Sequence, residues 1–376
     1  MLIVGMLDSI HLARWLGQFR DEPIHFKLFP SSPSRKIHRE ISKFFETSQA
    51  SESTFQIDPP GFLSAAALPL WLLDKMFRNR LRSIFLRRLA SGFEPDFIHL
   101  IELQNAGYLG LAAFGKDRSR KSAIICTNYG SDIFWFQRFK SHRSRLMRLM
   151  VMCDLYSAEC ERDLVLAADL GFRGGYLPVI PNAGGFSEDS LEAPLPTDCQ
   201  RDVIAVKGYH GWSGRGLNVV KALRNIEPKL VNLRVEIYSA SLAVRVFVAF
   251  WRLSARVKVV AYPKHCLSHE QILSLFRRSK IYVGISRTDG ISTSMLEAMA
   301  CGAVPVQTST SCCDEWFEGT GVAVSSWSSQ EVETAILRAL EMSQSESARI
   351  TNNEIIKARA SQAQVKKIAV RYYSRD

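Results

Sequence analysis

The sequence lacks the features that mark several common classes of protein. Its eight cysteines form no C-x-x-C pair and show none of the spacings of zinc sites or disulfide frameworks, so we expect reduced thiols. No uninterrupted apolar run approaches the roughly 20 residues of a membrane-spanning helix. The first eight residues lack the basic region of a signal peptide and have the pattern of a β-strand. These absences predict a cytoplasmic protein.

Internal repeats and low-complexity tracts are absent as well, and the chain should fold. Apolar residues make up 47% of it and charged residues 23%, a balance typical of globular proteins. The 48 Lys and Arg residues exceed the 37 Asp and Glu residues and give a formal net charge of +11. Arginine and lysine cluster in residues 78–88 and 138–148, but no nucleic-acid-binding module accompanies them. We therefore expect no nucleic-acid partner.

The length of 376 residues suggests two domains, and short apolar strands alternate with helical segments throughout. This alternation predicts an α/β fold with two Rossmann-like, doubly wound domains. The stretch around residues 186–200 has the Pro-containing, acidic composition of a linker. We expect an N-terminal domain over residues 1–185, a C-terminal domain over residues 201–345, and a final helix over residues 346–376 that returns to the N-terminal domain.

The predicted strands fall into two series. The first comprises residues 2–7, 26–29, 97–101, 122–127, 155–158 and 175–180, and the second comprises residues 203–206, 234–238, 257–260, 281–285, 303–307 and 322–324. Residues 31–60 are polar and support no assignment, whereas residues 63–90 form an apolar and then basic helical stretch. No G-x-G-x-x-G sequence follows the first strand, which argues against an NAD-dependent dehydrogenase.

The most informative segment is the loop and helix that follow the strand at residues 281–285. Residues 289–302 read D-G-I-S-T-S-M-L-E-A-M-A-C-G, with one acid in the loop and a second, Glu297, one to two turns into the helix. Ligands of open α/β sheets bind beyond the carboxyl ends of the strands, so this loop should face a crevice. The helix N-terminus near Ser292 and Thr293 offers N–H groups and a positive dipole end to a diphosphate.

Both acids also have a purely structural interpretation. Ser294 and Glu297 fit the S-x-x-E pattern of a capping box at the start of a helix. Asp289 precedes Gly290, as an ordinary turn residue often does. The binding interpretation and the structural one predict different contacts for these two carboxylates in the folded protein.

A second glycine-containing loop follows the strand at residues 203–206. Residues 206–217 contain four glycines and two cations, Lys207 and Arg215, before the next predicted helix. Glycines let the backbone approach a phosphate closely, and the cations can neutralise charge that develops on a leaving group. The alternative is a solvent-exposed glycine turn with incidental charges.

The first half carries weaker candidates at the ends of its strands. His11 follows the first strand, residues 94–99 read E-P-D-F-I-H, and residues 128–132 read N-Y-G-S-D. Asp132 stands at the carboxyl end of its strand, where a side chain can face a crevice. Residues 181–185 read P-N-A-G-G and close the predicted domain.

Together these motifs resemble the retaining enzymes of glycosyltransferase family 4, over nearly the whole chain. That family carries the signature E-G-x-x-x-x-x-x-E-A-M-A-C-G, which residues 289–302 match except that Asp289 replaces the first Glu. The resemblance implies the GT-B architecture, in which two Rossmann-like domains face each other across a cleft. It also implies that the C-terminal domain binds a nucleotide-sugar donor and the N-terminal domain binds the acceptor.

The resemblance further implies roles for individual residues of the second half. Asp289 would contact the transferred sugar, and Glu297 would hold the ribose hydroxyls. Lys207 and Arg215 would grip the donor diphosphate, although their order is swapped and their spacing altered relative to the family. The remaining residues expected on the donor side are Gly208, Gly214, Gly290, Ile291, Ser292 and Thr293.

In the first half, the N-Y-G-S-D turn resembles the H-G-x-D turn of the family. Asp132 is retained and is a candidate catalytic residue. Tyr129 stands where the family often has His, so no general base is assigned to that position. His11 and Tyr129 are expected on the acceptor side, and His99 in the E-P-D-F-I-H stretch is expected to be structural.

No D-x-D sequence is present, and the cations described above can neutralise a leaving diphosphate, so we expect neither a metal nor another cofactor. Residues 71–89 combine apolar side chains with five arginines, as a helix on an anionic membrane surface does. Because many family members glycosylate lipid-linked acceptors, we expect peripheral association with the inner face of the membrane. The alternative is an ordinary surface helix with solvated arginines.

These expectations combine into a retaining glycosyltransferase that moves a sugar from a nucleoside-diphosphate sugar to a glycan or lipid-linked acceptor in cell-surface polysaccharide synthesis. Two alternatives share the fold. One is a nucleotide-sugar epimerase, which needs no acceptor, and the other is a catalytically silent partner subunit. The donor base, the sugar, the acceptor and the linkage stay open.

Overall fold

The computed structural model describes residues 1–32, 37–46, 54–57, 67–77, 79–117 and 119–373. The chain divides into two compact units. Unit 1 comprises Met1–Gly185 together with the segment from Gln362 onward, and unit 2 comprises Phe186–Ser361. Each unit is an α/β structure built on one parallel sheet.

Within the described residues, the sheet of unit 1 has seven parallel strands in the order β3-β2-β1-β4-β5-β6-β7. The strands are β1 (Leu2–Gly5), β2 (His25–Pro30), β3 (Thr54–Ile57), β4 (Phe97–Ile101), β5 (Ala123–Thr127), β6 (Leu155–Ser157) and β7 (Gly175–Tyr176). β1 and β4 are buried at every position, as expected of apolar strands covered by helices on both faces of a parallel sheet.

The sheet of unit 2, over the part of that unit the structure describes, has six parallel strands in the order β10-β9-β8-β11-β12-β13. The strands are β8 (Val203–Lys207), β9 (Arg234–Ala240), β10 (Lys258–Pro263), β11 (Ser279–Gly284), β12 (Val304–Thr308) and β13 (Val322–Val324). Both sheets therefore start from a central strand, extend to one side and then reverse to the other. The predicted α/β, doubly wound class is confirmed.

Helices connect the strands in both units. They are α1 (Ile10–Gly17), α2 (Arg39–Glu46), α3 (Ala67–Met76), α4 (Arg80–Phe93), α5 (Tyr108–Phe114), α6 (Ser131–Phe134), α7 (Lys140–Met152), α8 (Glu161–Asp169), α9 (Glu188–Glu192), α10 (Gly216–Asn225), α11 (Leu242–Trp251), α12 (His269–Arg277), α13 (Thr293–Ala300), α14 (Ser329–Met342), α15 (Glu346–Ala360) and α16 (Gln362–Arg371). Among the described residues, no helix has the length and apolar character needed to cross a bilayer.

The C-terminal helix α16 belongs to unit 1 and is anchored there by two tyrosines. The Tyr373 hydroxyl accepts a hydrogen bond from Trp15 Nε1 at 2.9 Å and lies 2.7 Å from His99 Nδ1. The Tyr372 hydroxyl donates to the carbonyl of Pro178 at 2.5 Å. His99 is fully buried, and burial lowers its pKa to about 3, so the neutral imidazole serves as a structural hydrogen-bonding group.

The region expected to form one returning helix, residues 346–376, is divided in the structure. α15 lies in unit 2, where the buried Asn353 side chain donates to the carbonyls of Leu191 at 3.3 Å and Ala300 at 2.6 Å. Only the segment from Gln362 onward lies in unit 1. The residues expected to be a linker, 186–200, include α9 and form part of unit 2, because α9 packs against α15.

Candidate active site

The candidate site lies at the point where the strand order of unit 2 reverses. β8 and β11 are adjacent and parallel, and the chain leaves them toward opposite edges of the sheet. Loops that follow strands on either side of such a reversal leave a crevice between them, which is where open α/β sheets bind ligands. Both sequence motifs of the second half occupy these loops, one between β8 and α10 and the other between β11 and α13.

The two loops are joined to each other by backbone hydrogen bonds. Gly214 and Ser286 form an antiparallel bridge. On either side of it, the Arg215 N–H donates to the Ile285 carbonyl at 2.9 Å and the Arg287 N–H donates to the Ser213 carbonyl at 2.7 Å. This small ladder fixes the position of one motif relative to the other, although 70 or more residues separate them in sequence.

Gly214 in the β8–α10 loop and Gly216, the first residue of α10, pack closely against the backbone of this same loop. A Cβ atom on Gly214 would overlap the carbonyl oxygen of Tyr209. A Cβ atom on Gly216 would lie 2.8 Å from the carbonyl carbon of Gly208, inside van der Waals contact. The loop is therefore a tightly folded element that requires glycine, not an extended solvent-exposed turn.

A pocket opens between the two loops and the end of β12. Its volume of about 40 Å³ accommodates a polar group of a ligand and not a whole nucleotide. Three of the sequence-predicted residues line it, namely Lys207, Gly214 and Asp289, together with Tyr209, Ser286 and Gln307, which the sequence analysis did not select. The structure thus brings the cation of one motif and the loop acid of the other to the same small space.

Lys207 is the last residue of β8, and its environment keeps the amine protonated. Burial by itself lowers a lysine pKa, but the neighbouring Tyr282, Asp289 and Glu297 more than offset this effect, so the pKa of Lys207 is raised. A permanently charged ammonium beside Asp289 can stabilise negative charge on a bound phosphate.

Gln307, near the end of β12, contributes a polar group that the sequence analysis missed. Its side chain is 1% exposed, its Nε2 donates to the Ser311 hydroxyl at 3.0 Å, and its Oε1 has no hydrogen-bond partner in the described structure. A buried acceptor without a donor is unfavourable, and a ligand hydroxyl entering the pocket would satisfy it. The available signal was a glutamine that directly follows the apolar residues V-P-V in the strand V-P-V-Q-T.

Helix α13 presents its N-terminus beside the same loop. It begins at Thr293 with Ser292 as N-cap, and the Ser292 hydroxyl lies 3.5 Å from the Tyr282 hydroxyl instead of capping the helix. Gly290 and Ile291 immediately before it are buried. At the other end, the N–H of Gly302, which has φ 75°, donates to the Met299 carbonyl, which ends the helix as the sequence predicts.

The structural alternative for Glu297 is not realised. A capping box would require Ser294 to be the N-cap, but Ser294 is the second residue of α13. Glu297 instead lies in the middle of the helix, nearly buried, and its Oε1 is 2.8 Å from Nε2 of His269 on α12. Its carboxylate therefore takes part in tertiary contacts and does not cap its own helix.

Arg215 lies beside this pocket but does not line it. Its half-buried guanidinium donates to the carbonyls of Gly211 at 2.5 Å and Gly214 at 2.8 Å. It also stacks on the Trp327 ring, 5.4 Å from the centroid. The predicted pair of cations is thus separated in this structure, with Lys207 inside the pocket and Arg215 held at the loop. Gly208, between them, donates its N–H to the Tyr238 carbonyl at 2.8 Å.

In unit 1, the predicted Asp132 is buried after β5 and holds two loops together. Its carboxylate accepts hydrogen bonds from the N–H groups of Leu103 at 3.0 Å and Tyr129 at 2.9 Å. The neighbouring Glu102, at a φ of 74°, accepts from three successive N–H groups after β4. Burial raises the pKa of each carboxyl to about 7 and outweighs the backbone hydrogen bonds, which lower it; at Asp132 the negative charge of Glu102 adds to the rise.

The two residues expected on the acceptor side lie together in unit 1. The rings of His11, on α1, and Tyr129, after β5, have centroids 5.7 Å apart at an angle of 47°. β1 and β5 both flank the central strand β4, so their carboxyl ends lie at the same edge of the sheet. The structure therefore forms two clusters of candidate residues, one in each unit.

Comparison with known proteins shows which family and which solved structures this chain resembles. Residues 218–368 match the family described as "Glycosyl transferase-like". No curated protein sequence matches the chain. Among solved structures, Anabaena Alr3699/HepE in complex with UDP and glucose is 13% identical, with a TM-score of 0.65 over 100% of this chain and 99% of that one. Sucrose-phosphate synthase from Thermosynechococcus elongatus is 13% identical, with a TM-score of 0.68 over 99% and 98% of the two chains.

A third similar structure, described as trehalose-6-phosphate from E. coli bound with UDP-2-fluoro glucose, is 13% identical, with a TM-score of 0.66 over 99% of this chain and 97% of that one. At these identities the structural likeness establishes the fold, and the fold is GT-B. Together with the family match over residues 218–368, it supports a glycosyltransferase of the GT-B class that is similar to glycosyl transferases group 1. The recognition made from the sequence motifs is confirmed.

Proposed function

We propose that this glycosyltransferase uses a UDP-sugar and transfers the sugar, with retained anomeric configuration, to a glycan or lipid-linked acceptor. The observation that carries the proposal is the pocket at the strand reversal of unit 2, where Lys207 and Asp289 meet. The pocket lies at the carboxyl ends of the parallel strands. Its cation can bind a phosphate and its acid can bind sugar hydroxyls, so the pair can bind a ligand that carries both.

The proposed donor geometry follows from the elements around the pocket. The diphosphate lies at the N-terminus of α13, near Ser292 and Thr293, where backbone N–H groups and the helix dipole favour an anion. Glu297, farther along the same helix, accepts hydrogen bonds from the ribose hydroxyls. Uridine as the base is supported by the HepE structures, which are described as complexes with UDP and with UDP-glucose.

The proposed chemistry is the departure of UDP assisted by fixed positive charge. Lys207 stabilises the phosphate oxygen that gains negative charge as the sugar–oxygen bond breaks, and Asp289 orients the sugar hydroxyls. Gln307 Oε1 accepts a hydrogen bond from one of those hydroxyls. Arg215, on its loop, binds a phosphate of the donor. Its guanidinium then gives up the hydrogen bonds to the Gly211 and Gly214 carbonyls and donates to phosphate oxygens instead. No metal or other cofactor is required by this scheme.

On the acceptor side, the proposal assigns His11 and Tyr129 to acceptor binding in unit 1. Asp132 keeps this region in place through its two backbone hydrogen bonds, and a catalytic role for it remains part of the proposal. A role in cell-surface polysaccharide synthesis follows from the kind of acceptor proposed and from the basic net charge of the chain.

Peripheral membrane association is proposed on the basis of α3 and α4 of unit 1. Apolar side chains are exposed on both helices and just after α3, at Leu72, Leu73, Met76, Phe77, Leu81, Ile84 and Phe85. Arg80, Arg87 and Arg88 are exposed on α4. Arg82, which the sequence analysis counted with them, is instead buried and donates to the carbonyls of Pro30 and Ser31. Arg78 lies outside the described residues.

The experiment that tests the proposed reaction is incubation of the purified chain with UDP-, GDP- and ADP-sugars, with and without membrane extracts as a source of acceptor. The expected result is release of UDP that rises when acceptor is supplied, with a product whose anomeric configuration, measured by NMR, equals that of the donor. Release of GDP or ADP instead of UDP contradicts the proposed donor. A product with inverted anomeric configuration contradicts the proposed stereochemistry.

The same assay separates the two alternative functions. An epimerase converts the nucleotide sugar without any dependence on acceptor and forms a sugar epimer. A catalytically silent subunit releases no UDP, with or without acceptor. An acceptor-dependent release of UDP that Glu297→Gln lowers by tenfold or more, about 1.4 kcal/mol, excludes both.

A further inference from the structure

Helix α11 of unit 2 is apolar on two opposite faces. One face is buried in the core of the unit through Val244, Val248 and Trp251. Apart from Arg245, every residue of the helix is apolar. A surface helix normally carries polar residues opposite its buried stripe, and a helix that is apolar all round is normally covered.

The outward face of α11 carries a continuous apolar stripe. Leu242 is 67% exposed, Val246 48% and Phe250 68%, and Leu253, just after the helix, is 84% exposed. The spacing of four, four and three residues places these side chains on one side of the helix, since each residue turns by ~100°. Large apolar side chains exposed together, rather than singly, mark an interaction surface.

The charge around this stripe has one sign. Residues 237–269 contain no Asp or Glu, but they contain five cations, Arg245, Arg252, Arg256, Lys258 and Lys264. Arg245 and Arg252 are exposed and lie seven residues apart, on the same flank of the stripe. An acid that contacts the end of the helix, Glu227, accepts hydrogen bonds from Trp251 Nε1 and from the backbone of Arg256 and Val257.

We propose that α11 is a membrane-contact surface of unit 2 that binds anionic phospholipid. Leu242, Val246, Phe250 and Leu253 insert at the level of the headgroups, while Arg245 and Arg252 pair with lipid phosphates. The combination of a bulky apolar stripe and flanking arginines, with no acid in the segment, is the composition of an interfacial helix. Long arginine side chains can extend from the edge of such a stripe to the phosphates.

The charge pattern favours a lipid surface over a second copy of this chain. In a two-fold dimer through α11, the same surface meets itself, so Arg245 and Arg252 of one chain would approach those of the other. The segment 237–269 supplies no acid to compensate this repulsion. A bilayer containing anionic lipid supplies the opposite charge at the required depth.

This surface belongs to unit 2, whereas α3 and α4 belong to unit 1. The inference does not depend on the proposed sugar-transfer reaction. It states that unit 2 contributes its own affinity for anionic bilayers, so that removing the apolar side chains of α3 and α4 leaves part of the membrane binding intact.

The test is flotation of the full chain with two kinds of vesicle. One kind is phosphatidylcholine alone, and the other also contains roughly 30 to 40% of phosphatidylglycerol, an anionic lipid. Three double variants are compared with the wild type: Phe250→Ser with Leu253→Ser on α11, Leu81→Ser with Phe85→Ser on α4, and a matched control, Val165→Ser with Ile350→Ser, which removes exposed apolar side chains elsewhere. A fourth variant, Arg245→Glu with Arg252→Glu, tests the charge. Thermal unfolding shows that each variant is folded.

The expected result is that the chain floats only with anionic vesicles. Both α11 variants should lower the vesicle partition coefficient by at least about tenfold. Each near-surface cation contributes on the order of a fivefold factor, and each large apolar side chain that leaves water contributes on the order of tenfold. The α4 variant should lower it only in part, and the control should leave it unchanged. Unchanged flotation of both α11 variants overturns the inference. The inference is also overturned if the wild type is a dimer in solution and the α11 variants are monomers that float as the wild type does.

Discussion

His269 and Glu297 are joined by a contact of 2.8 Å between the imidazole Nε2 and the carboxylate Oε1. His269 is the first residue of α12 and half exposed, whereas Glu297 is nearly buried in α13. The pair therefore links two helices of unit 2, and it holds one oxygen of the carboxylate proposed to bind ribose. His269 is a positioning residue in this account, since it acts through Glu297.

Replacing His269 should therefore weaken donor binding more than it slows the chemical step. In His269→Ala, KM for the UDP-sugar is expected to rise by about tenfold, the size of one lost hydrogen bond to a charged group, while kcat changes little. His269→Gln should recover much of the loss, because its amide can donate to the same oxygen. The exposed His265→Asn is the control. Equal falls in kcat for His269→Ala and His269→Gln would contradict the positioning role.

Lys207 is expected to act on the chemical step itself. Lys207→Ala should lower kcat by about 10²- to 10³-fold, as the removal of one preorganised group that stabilises developing charge does. The stability of the fold should change far less than the activity. Lys258→Ala, which removes an exposed lysine from the edge strand β10, should leave kcat unchanged. Steady-state kinetics with saturating donor make the comparison, and a wild-type kcat in Lys207→Ala excludes the proposed role.

The close packing of the β8–α10 loop makes Gly216 sensitive to a single methyl group. Gly216→Ala should lower the free energy of unfolding by about 1–3 kcal/mol, because its Cβ would crowd the Gly208 backbone at 2.8 Å. Gly92→Ala is the matched control, since a Cβ at that position of α4 meets nothing within 4 Å. The control should instead stabilise α4 by roughly 0.5–1 kcal/mol. Urea unfolding measures the free energy of unfolding of both variants. Similar changes from the wild type for the two would refute the packing argument.

The buried carboxyl of Asp132 predicts a pH dependence of stability. Its pKa rises from 3.8 in the unfolded chain to about 7 in the fold, chiefly through burial. A raised pKa favours the protonated form in the fold, so the stabilising contribution is complete below about pH 4 and is lost as the pH rises through 7. Over that window the wild type should lose on the order of 2–4 kcal/mol relative to Asp132→Asn, whose side chain does not titrate.

Urea unfolding at several pH values between 4 and 8 measures this difference. Asp132→Asn carries a constant penalty, because its amide cannot accept both the Leu103 and Tyr129 N–H groups, so the slope with pH is the informative quantity. Asp169→Asn, at an exposed position of α8, should follow the wild-type slope. Parallel curves for the wild type and Asp132→Asn would show that Asp132 is ionised throughout.

The strands were the part of the fold most accessible from the sequence. Buried parallel strands such as β4 and β12 are short, apolar and bounded by turn residues, so their pattern alone located them. The strand β3, Thr54–Ile57, was missed because it reads T-F-Q-I within a polar stretch, where no apolar run marks it. The stretch 63–90 was predicted as one helical stretch, whereas the described part contains α3 and α4, with Asn79 at a positive φ between them.

The sequence predicted those residues of the candidate site that lie within short motifs of consecutive residues. The motif at 289–302 located Asp289 and Glu297, and the glycine loop located Lys207. His269 and Gln307 escaped prediction because their relation to these residues depends on how α12 packs against α13 and on how β12 pairs with β11. The separation of Lys207 from Arg215 likewise reflects loop geometry that no spacing rule contains.

The most direct test of the donor site is thermal unfolding of the wild type and Glu297→Ala against UDP, UDP-glucose, GDP and ADP. Glu354→Ala, an exposed glutamate of α15, is the control. A ligand at ~100 times its Kd adds about 2.7 kcal/mol to the free energy of unfolding, which is visible as a raised midpoint. The account predicts a rise with UDP and UDP-glucose in the wild type and in Glu354→Ala, and its loss in Glu297→Ala. No rise with any nucleotide at millimolar concentration would contradict the account.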